Sequence, residues 1–77
     1  MTVPVHLTRI RPELNEWRFY RVEIWPDLFG GFSLVREWGR IGQDGQSRHL
    51  SFPTKGAATE AFWALIASKR KRGYLIE

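Results

Sequence analysis

The stretch Leu34-Val35-Arg36-Glu37-Trp38-Gly39-Arg40-Ile41-Gly42-Gln43 decides the reading of this 77-residue chain. An indole, a residue without a side chain and a guanidinium stand side by side at the end of an apolar, β-branched run. As a strand, the segment puts Trp38 on the same side as Arg36 and Arg40, because successive side chains alternate between faces. An aromatic ring between two planar cations suits a polyanion that carries stackable rings or sugars. Nucleic acid has that chemistry. Gly39 adds a point where backbone is free to approach a partner closely. A Trp buried in the core beside solvated arginines gives the same pattern, so the stretch alone leaves both readings open.

Working outward, Trp17 to Trp25 reads as a preceding strand, with Tyr20, Val22 and Ile24 alternating with Arg21 and Glu23. Pro26-Asp27-Leu28-Phe29-Gly30-Gly31 is a turn, and the motif strand follows from Phe32 to Ile41. Gly42-Gln43-Asp44-Gly45 is a second turn, leading into a strand from Gln46 to Phe52. Thr54 is a suitable N-cap for a helix running to Arg72, and Gly73 a suitable stop. Within that helix Ala58, Phe62, Leu65, Ile66 and the stem of Lys69 share one side, which should pack on the sheet. Residues 1–16 form a lead-in, with His6–Ile10 as a short strand and Arg11–Asn15 as a turn. The expected fold is α+β: a small two-layer domain, an antiparallel sheet of three to four strands packed against one C-terminal helix. The exposed face of the motif strand is not decided. Phe32 and Leu34 share a parity with Trp38, Val35 and Ile41 share one with Glu37, and a bulge near Gly39 or an edge position would reconcile them.

These elements carry a resemblance. Phe19-Tyr20 opening a strand, Trp38-Gly39-Arg40-Ile41-Gly42, Gly45-Gln46 just beyond it, and the Ala-rich helix with Phe62 occur in the order found in WGR domains. The chain therefore resembles that family, the module of poly(ADP-ribose) polymerases and of short bacterial proteins. It is expected to be a single domain over residues 1–77, with the motif-matching core at 17–74. In the polymerases the module contacts DNA near a strand break, with the motif Trp packing on a sugar or base of a terminal nucleotide. The resemblance thus implies Trp38 as a platform, and Gly39 as the place where backbone nears a phosphate. The motif Arg of the polymerases also links the module to neighbouring domains. No such domain is present in this chain, which leaves the linking role of Arg40 without a counterpart. On physical grounds Arg40, Arg36 and Arg48 are suited instead to hold phosphates. The helix end, Lys69-Arg70-Lys71-Arg72-Gly73-Tyr74, is more basic than the polymerase endings and looks like the short bacterial members.

Composition narrows the classes. The chain is 43% hydrophobic and 26% charged, too apolar for disorder, and its length allows one core. Four Trp, five Phe and two Tyr supply much of that core. With no cysteine, disulfides and thiolate metal sites are excluded. The two histidines, His6 and His49, stand far apart, so no metal is expected. The start Met1-Thr2-Val3-Pro4-Val5-His6 has neither the basic opening nor the apolar core of a secretory signal, and a cytoplasmic setting is expected. No apolar run approaches the roughly 20 residues of a membrane span. No nucleophile elbow, P-loop or dinucleotide fingerprint is present, so neither catalysis nor a cofactor is expected.

The formal charge of +4 is unevenly spread. Residues 54–77 carry Lys55, Lys69, Arg70, Lys71 and Arg72 against Glu60 and Glu77. Cations at a helix C-terminus complement its dipole, but four in succession exceed that need and favour an anionic partner. The sequence therefore points to a non-catalytic nucleic-acid-binding module, with DNA ends, nicks or junctions as the expected targets. The alternative is a protein–protein adaptor in which Trp25, Trp38 or Trp63 is the anchor and the basic tail meets an acidic partner.

Overall fold

The computed structural model describes residues 4–77; the first three residues of the lead-in lie outside the described residues. Strand β1 (Val5–Arg11) leads through a 3₁₀ turn (Pro12–Leu14) into β2 (Glu16–Pro26), β3 (Phe32–Arg40) and β4 (Gln46–Phe52). Helix α1 (Lys55–Lys71) follows, and a two-residue strand β5 (Leu75–Ile76) closes the chain. The sheet order is β4-β3-β2-β1-β5, with antiparallel pairing throughout. The α+β architecture is as expected, but the sheet has five strands rather than three to four. The addition is β5, which pairs Leu75 with Thr8 and Ile76 with Leu7. Two residues are too short for an alternating pattern to register, and Glu77 N–H donates to the His6 carbonyl at 2.9 Å to finish the pairing.

Alternation along β2 and β3 builds the core. Tyr20, Val22 and Ile24 lie opposite Trp38, Arg36 and Leu34, so all six side chains share the helix-facing side. Leu7 from β1 joins them, and the helix answers with Ala58, Phe62 and Ile66. The stripe anticipated on α1 is the one that packs. Burying a side chain such as Phe62 contributes on the order of 1.5–3 kcal/mol. Thr54 Oγ1 accepts from Ala57 N–H at 3.1 Å at the helix start, and Gly73 ends the helix with φ of +93°. No helix among the described residues is long and apolar enough to cross a membrane.

The β3–β4 connection depends on two glycines meeting. A Cβ built on Gly45 would collide with the Trp38 carbonyl and lie 2.8 Å from the Phe19 ring, and one on Gly39 would lie 2.9 Å from Gly45 Cα. Neither backbone has room to give. Gly45→Val is expected to destabilise the domain by about 1–3 kcal/mol through overpacking. Urea unfolding followed by circular dichroism reads this directly, and an unchanged midpoint would contradict the packing described.

Candidate nucleic-acid interface

The helix covers only part of the sheet's inner face. Rows of side chains run across the strands, and the register fixes each row. Ile24, Leu34 and Leu50 form one, and Val22, Arg36 and Arg48 the next. Leu7, Tyr20, Trp38 and Gln46 follow, then Arg9, Arg18 and Arg40. The face thus passes from an aliphatic row, through one carrying Arg36 and Arg48, to an aromatic row and then a cationic one towards the C-terminal end of α1. This settles the face of the motif strand without a bulge. Phe32 and Leu34 face the helix, and Arg36, Trp38 and Arg40 continue the same side where the helix runs out.

Trp38 is half-buried and stacks on fully buried Tyr20, with ring centroids 6.3 Å apart and planes inclined by 24°. The Arg36 guanidinium lies 5.3 Å from the Trp38 ring centroid, within cation–π range. Its Nε is buried and has no hydrogen-bond partner. Tyr74 packs edge to face with Tyr20, with ring centroids 6.4 Å apart. The Lys69 ammonium sits above both rings, 4.6 Å from the Tyr20 centroid and 5.5 Å from that of Tyr74. Trp38 is therefore part core, part surface: one side of the indole is committed to Tyr20, and the ring remains half open.

The cations here are largely uncompensated. Arg9 pairs with Glu16 at 3.2 Å, and Arg40 donates to the Asn15 carbonyl at 3.2 Å and to its Oδ1 at 3.1 Å. Among the described residues, no carboxylate lies within ion-pair distance of Arg18, Arg36, Arg48, Lys69 or Arg72. Lys69 reports the crowding. Its pKa is lowered from the ordinary 10.5, first because partial burial strips water from the ammonium, then because Arg72, Arg36 and Arg18 repel it. A cleft of about 610 Å³ opens beside the cluster, with Trp38, Arg18 and Arg40 between the Asn15 turn and the Asp44–Gln46 loop.

The structure thus gathers Trp38, Arg36, Arg40, Arg48, Lys69 and Arg72 at one end of the inner face. Arg70 and Lys71 are exposed, and a 100° step per residue turns Lys71 directly away from the sheet. Gly39 lies on the opposite face from Trp38, and the room its missing side chain leaves is taken up by Gly45 and Phe19 of the same chain. Three arginines escaped the sequence reading. Arg18 has the parity of Tyr20, and Arg9 and Arg11 have that of buried Leu7, so strand alternation carried into the lead-in would have found them. Arg11 reaches the helix end, where a Cβ on Gly73 would lie 2.6 Å from its guanidinium.

The family model described as the WGR domain matches residues 3–77. This chain belongs to the WGR domain family. WGR domains are non-catalytic modules of a nucleic-acid-binding type. The domain is 41% identical over 70 residues to the uncharacterized protein y4dW of Sinorhizobium fredii, covering 91% of this chain and 34% of that protein. It is 44% identical over 45 residues to protein YehF of Escherichia coli, covering 58% of this chain and 16% of the relative. The domain thus spans about a third of one of these curated relatives and about a sixth of the other. A crystal structure of a Bacteroides fragilis protein superposes with a TM-score of 0.83 over 97% of this chain and 19% of that one. At 24% identity that likeness shows the fold alone.

The Lys69 geometry has a pH signature. Folding lowers this pKa, so the penalty on the charged amine is fully present at neutral pH and is relieved as pH rises through the folded value towards 10.5. An anion placed among Lys69, Arg36 and Arg18 offsets the repulsion and raises the pKa again. Binding an oligonucleotide in alkaline solution is therefore expected to take up protons. Calorimetry in two buffers of different ionisation enthalpy measures the uptake, and Lys69→Met should remove it.

Proposed function

We propose that this WGR domain is a nucleic-acid-binding module without catalysis, acting on DNA with a preference for ends, nicks or junctions. The observation that carries the proposal is the uncompensated set Arg18, Arg36, Arg48, Lys69 and Arg72 around a half-open Trp38. Like charges crowded without counter-charges are favourable when a polyanion occupies the space between them. The guanidinium groups suit phosphate oxygens, and the exposed part of the indole suits a sugar or an unstacked base. Inside a continuous duplex each base is already stacked on its neighbours. A terminal nucleotide at a break has a free face to offer, which is the support for a preference for broken DNA. Gly39 serves the site indirectly, by letting the Gly45 loop close against the end of β3. Arg70 and Lys71 add long-range attraction rather than contacts.

Fluorescence anisotropy with labelled nicked DNA, an intact hairpin and single-stranded RNA at two salt concentrations tests this reading. Several phosphate contacts make affinity fall roughly tenfold or more between 50 and 200 mM salt. Trp38→Ala should cost about 1–3 kcal/mol of binding, with circular dichroism confirming the fold. Arg18→Gln, a change on an exposed residue, should weaken all DNA forms alike and reduce the salt slope by about one. Equal affinity for closed and broken DNA would remove the preference for ends. Binding that ignores salt would remove the proposal.

A further inference from the structure

Of the chain's three lysines, Lys55, Lys69 and Lys71, Lys69 alone stands inside the cationic cluster. Lys55 begins α1, roughly 20 Å along the helix axis from Lys69, and Lys71 is exposed and turned away from the sheet. Lys69 is half-buried, and its Nζ is held over two rings, 4.6 Å from the Tyr20 centroid and 5.5 Å from that of Tyr74. Among the described residues, no carboxylate lies within ion-pair distance of it. Three guanidinium groups are close enough to repel it instead: Arg18 of β2, Arg36 of β3 and Arg72 at the end of α1. Two donors of this neighbourhood, Arg36 Nε and Tyr20 Oη, are buried without a hydrogen-bond partner. An amine fixed in place among phosphate-binding groups is set up to meet a phosphate that carries a reactive carbonyl.

We infer that Lys69 is a site of covalent acylation by an acyl phosphate, which Arg18, Arg36 and Arg72 hold by its phosphate while the acyl group passes to Nζ. The step needs no further reactant. The neutral amine adds its lone pair to the acyl carbon, and the bond from that carbon to the phosphate oxygen breaks. Inorganic phosphate leaves with the electron pair and takes the proton shed by nitrogen, and an amide remains. Guanidinium groups bind phosphate oxygens, and in an acyl phosphate the carbonyl carbon is bonded to one of those oxygens. Holding the phosphate therefore delivers the carbonyl. The attacking group must be uncharged, and the lowered pKa of Lys69 favours that form. Partial burial is the larger cause of the lowering, and it persists when the phosphate arrives to offset the repulsion. Acylation removes a positive charge from the middle of the cluster. Resting on the proposed function, two consequences follow: the acylated domain binds nucleic acid more weakly, and bound nucleic acid shields Lys69. The modification is then an off-switch that acts on the empty site.

The test treats the full chain with acetyl phosphate and follows each lysine by tandem mass spectrometry. Lys69 should be acetylated roughly fivefold or more faster than Lys55 and Lys71, which serve as internal controls. The Arg18→Gln/Arg72→Gln double variant, changed at two exposed positions, should lose most of that lead. The lead should also shrink with S-acetyl-N-acetylcysteamine, an uncharged thioester that offers no phosphate to hold. Fluorescence anisotropy then compares the acetylated and parent domains on an oligonucleotide, where acetylation should reduce the salt slope by about one. Three lysines modified alike would overturn the inference, as would a lead that survives both the arginine substitutions and the uncharged donor. An acetylated domain that binds like the parent would overturn the switch. If the parent binds no oligonucleotide while Lys69 keeps its lead, the proposed function fails and the acylation site stands.

Discussion

Tyr20 is where the core and the charged face of this domain are joined. Its ring is fully buried, stacks on Trp38, receives the edge of Tyr74 and lies beneath the Lys69 ammonium. Each neighbour comes from a different part of the chain: the motif strand, the segment after the helix, and the helix itself. One aromatic face thereby fixes the angle of the indole and the height of the last helical turn above the sheet. An indole anchored on one side keeps its other side in a defined place at little entropic cost. Partial burial lowers the dielectric around Lys69 and Arg36, which strengthens the repulsion between them.

The two faces of the sheet handle charge in opposite ways. On the outer face Arg21 stands between Glu23 at 3.1 Å and Glu37 at 3.3 Å, so a guanidinium shares two carboxylates. Glu23 is only 6% exposed, and the shared Arg makes that burial tolerable. On the inner face the arginines outnumber their partners. A formal net charge of +4 on a domain this small is therefore better described as a nearly neutral outer face backing a concentrated positive one.

Much of this was legible in the sequence because local signals agreed. Alternation at Tyr20, Val22 and Ile24, the Asp44-Gly45 turn and the Thr54 cap each placed an element within a residue or two of its observed limits. The face of β3 was not legible, for a specific reason. Phe32 and Leu34 are core, whereas Arg36, Trp38 and Arg40 lie on the same side beyond the helix, and strand periodicity cannot say where a helix on top of it stops. The cationic arginines of β1 and β2 were hidden differently. Arg9 and Arg11 sit in a segment whose motif content is low, yet its Leu7 is completely buried. Reading the lead-in as a strand up to Arg11, rather than as a turn from that residue, places both arginines on the side of Leu7.

Strands β1 and β5 lie side by side at one margin of the sheet, joined through Leu7 opposite Ile76 and Thr8 opposite Leu75. The path into the domain and the path out of it therefore run antiparallel at the same edge. A polypeptide interrupted by this module would have its two cut points held a few ångströms apart, so the module can be spliced in as a cassette without prising its host open. Strand β4 lies at the opposite margin of the sheet. That layout suits a unit that spans about a third of one longer relative and about a sixth of another.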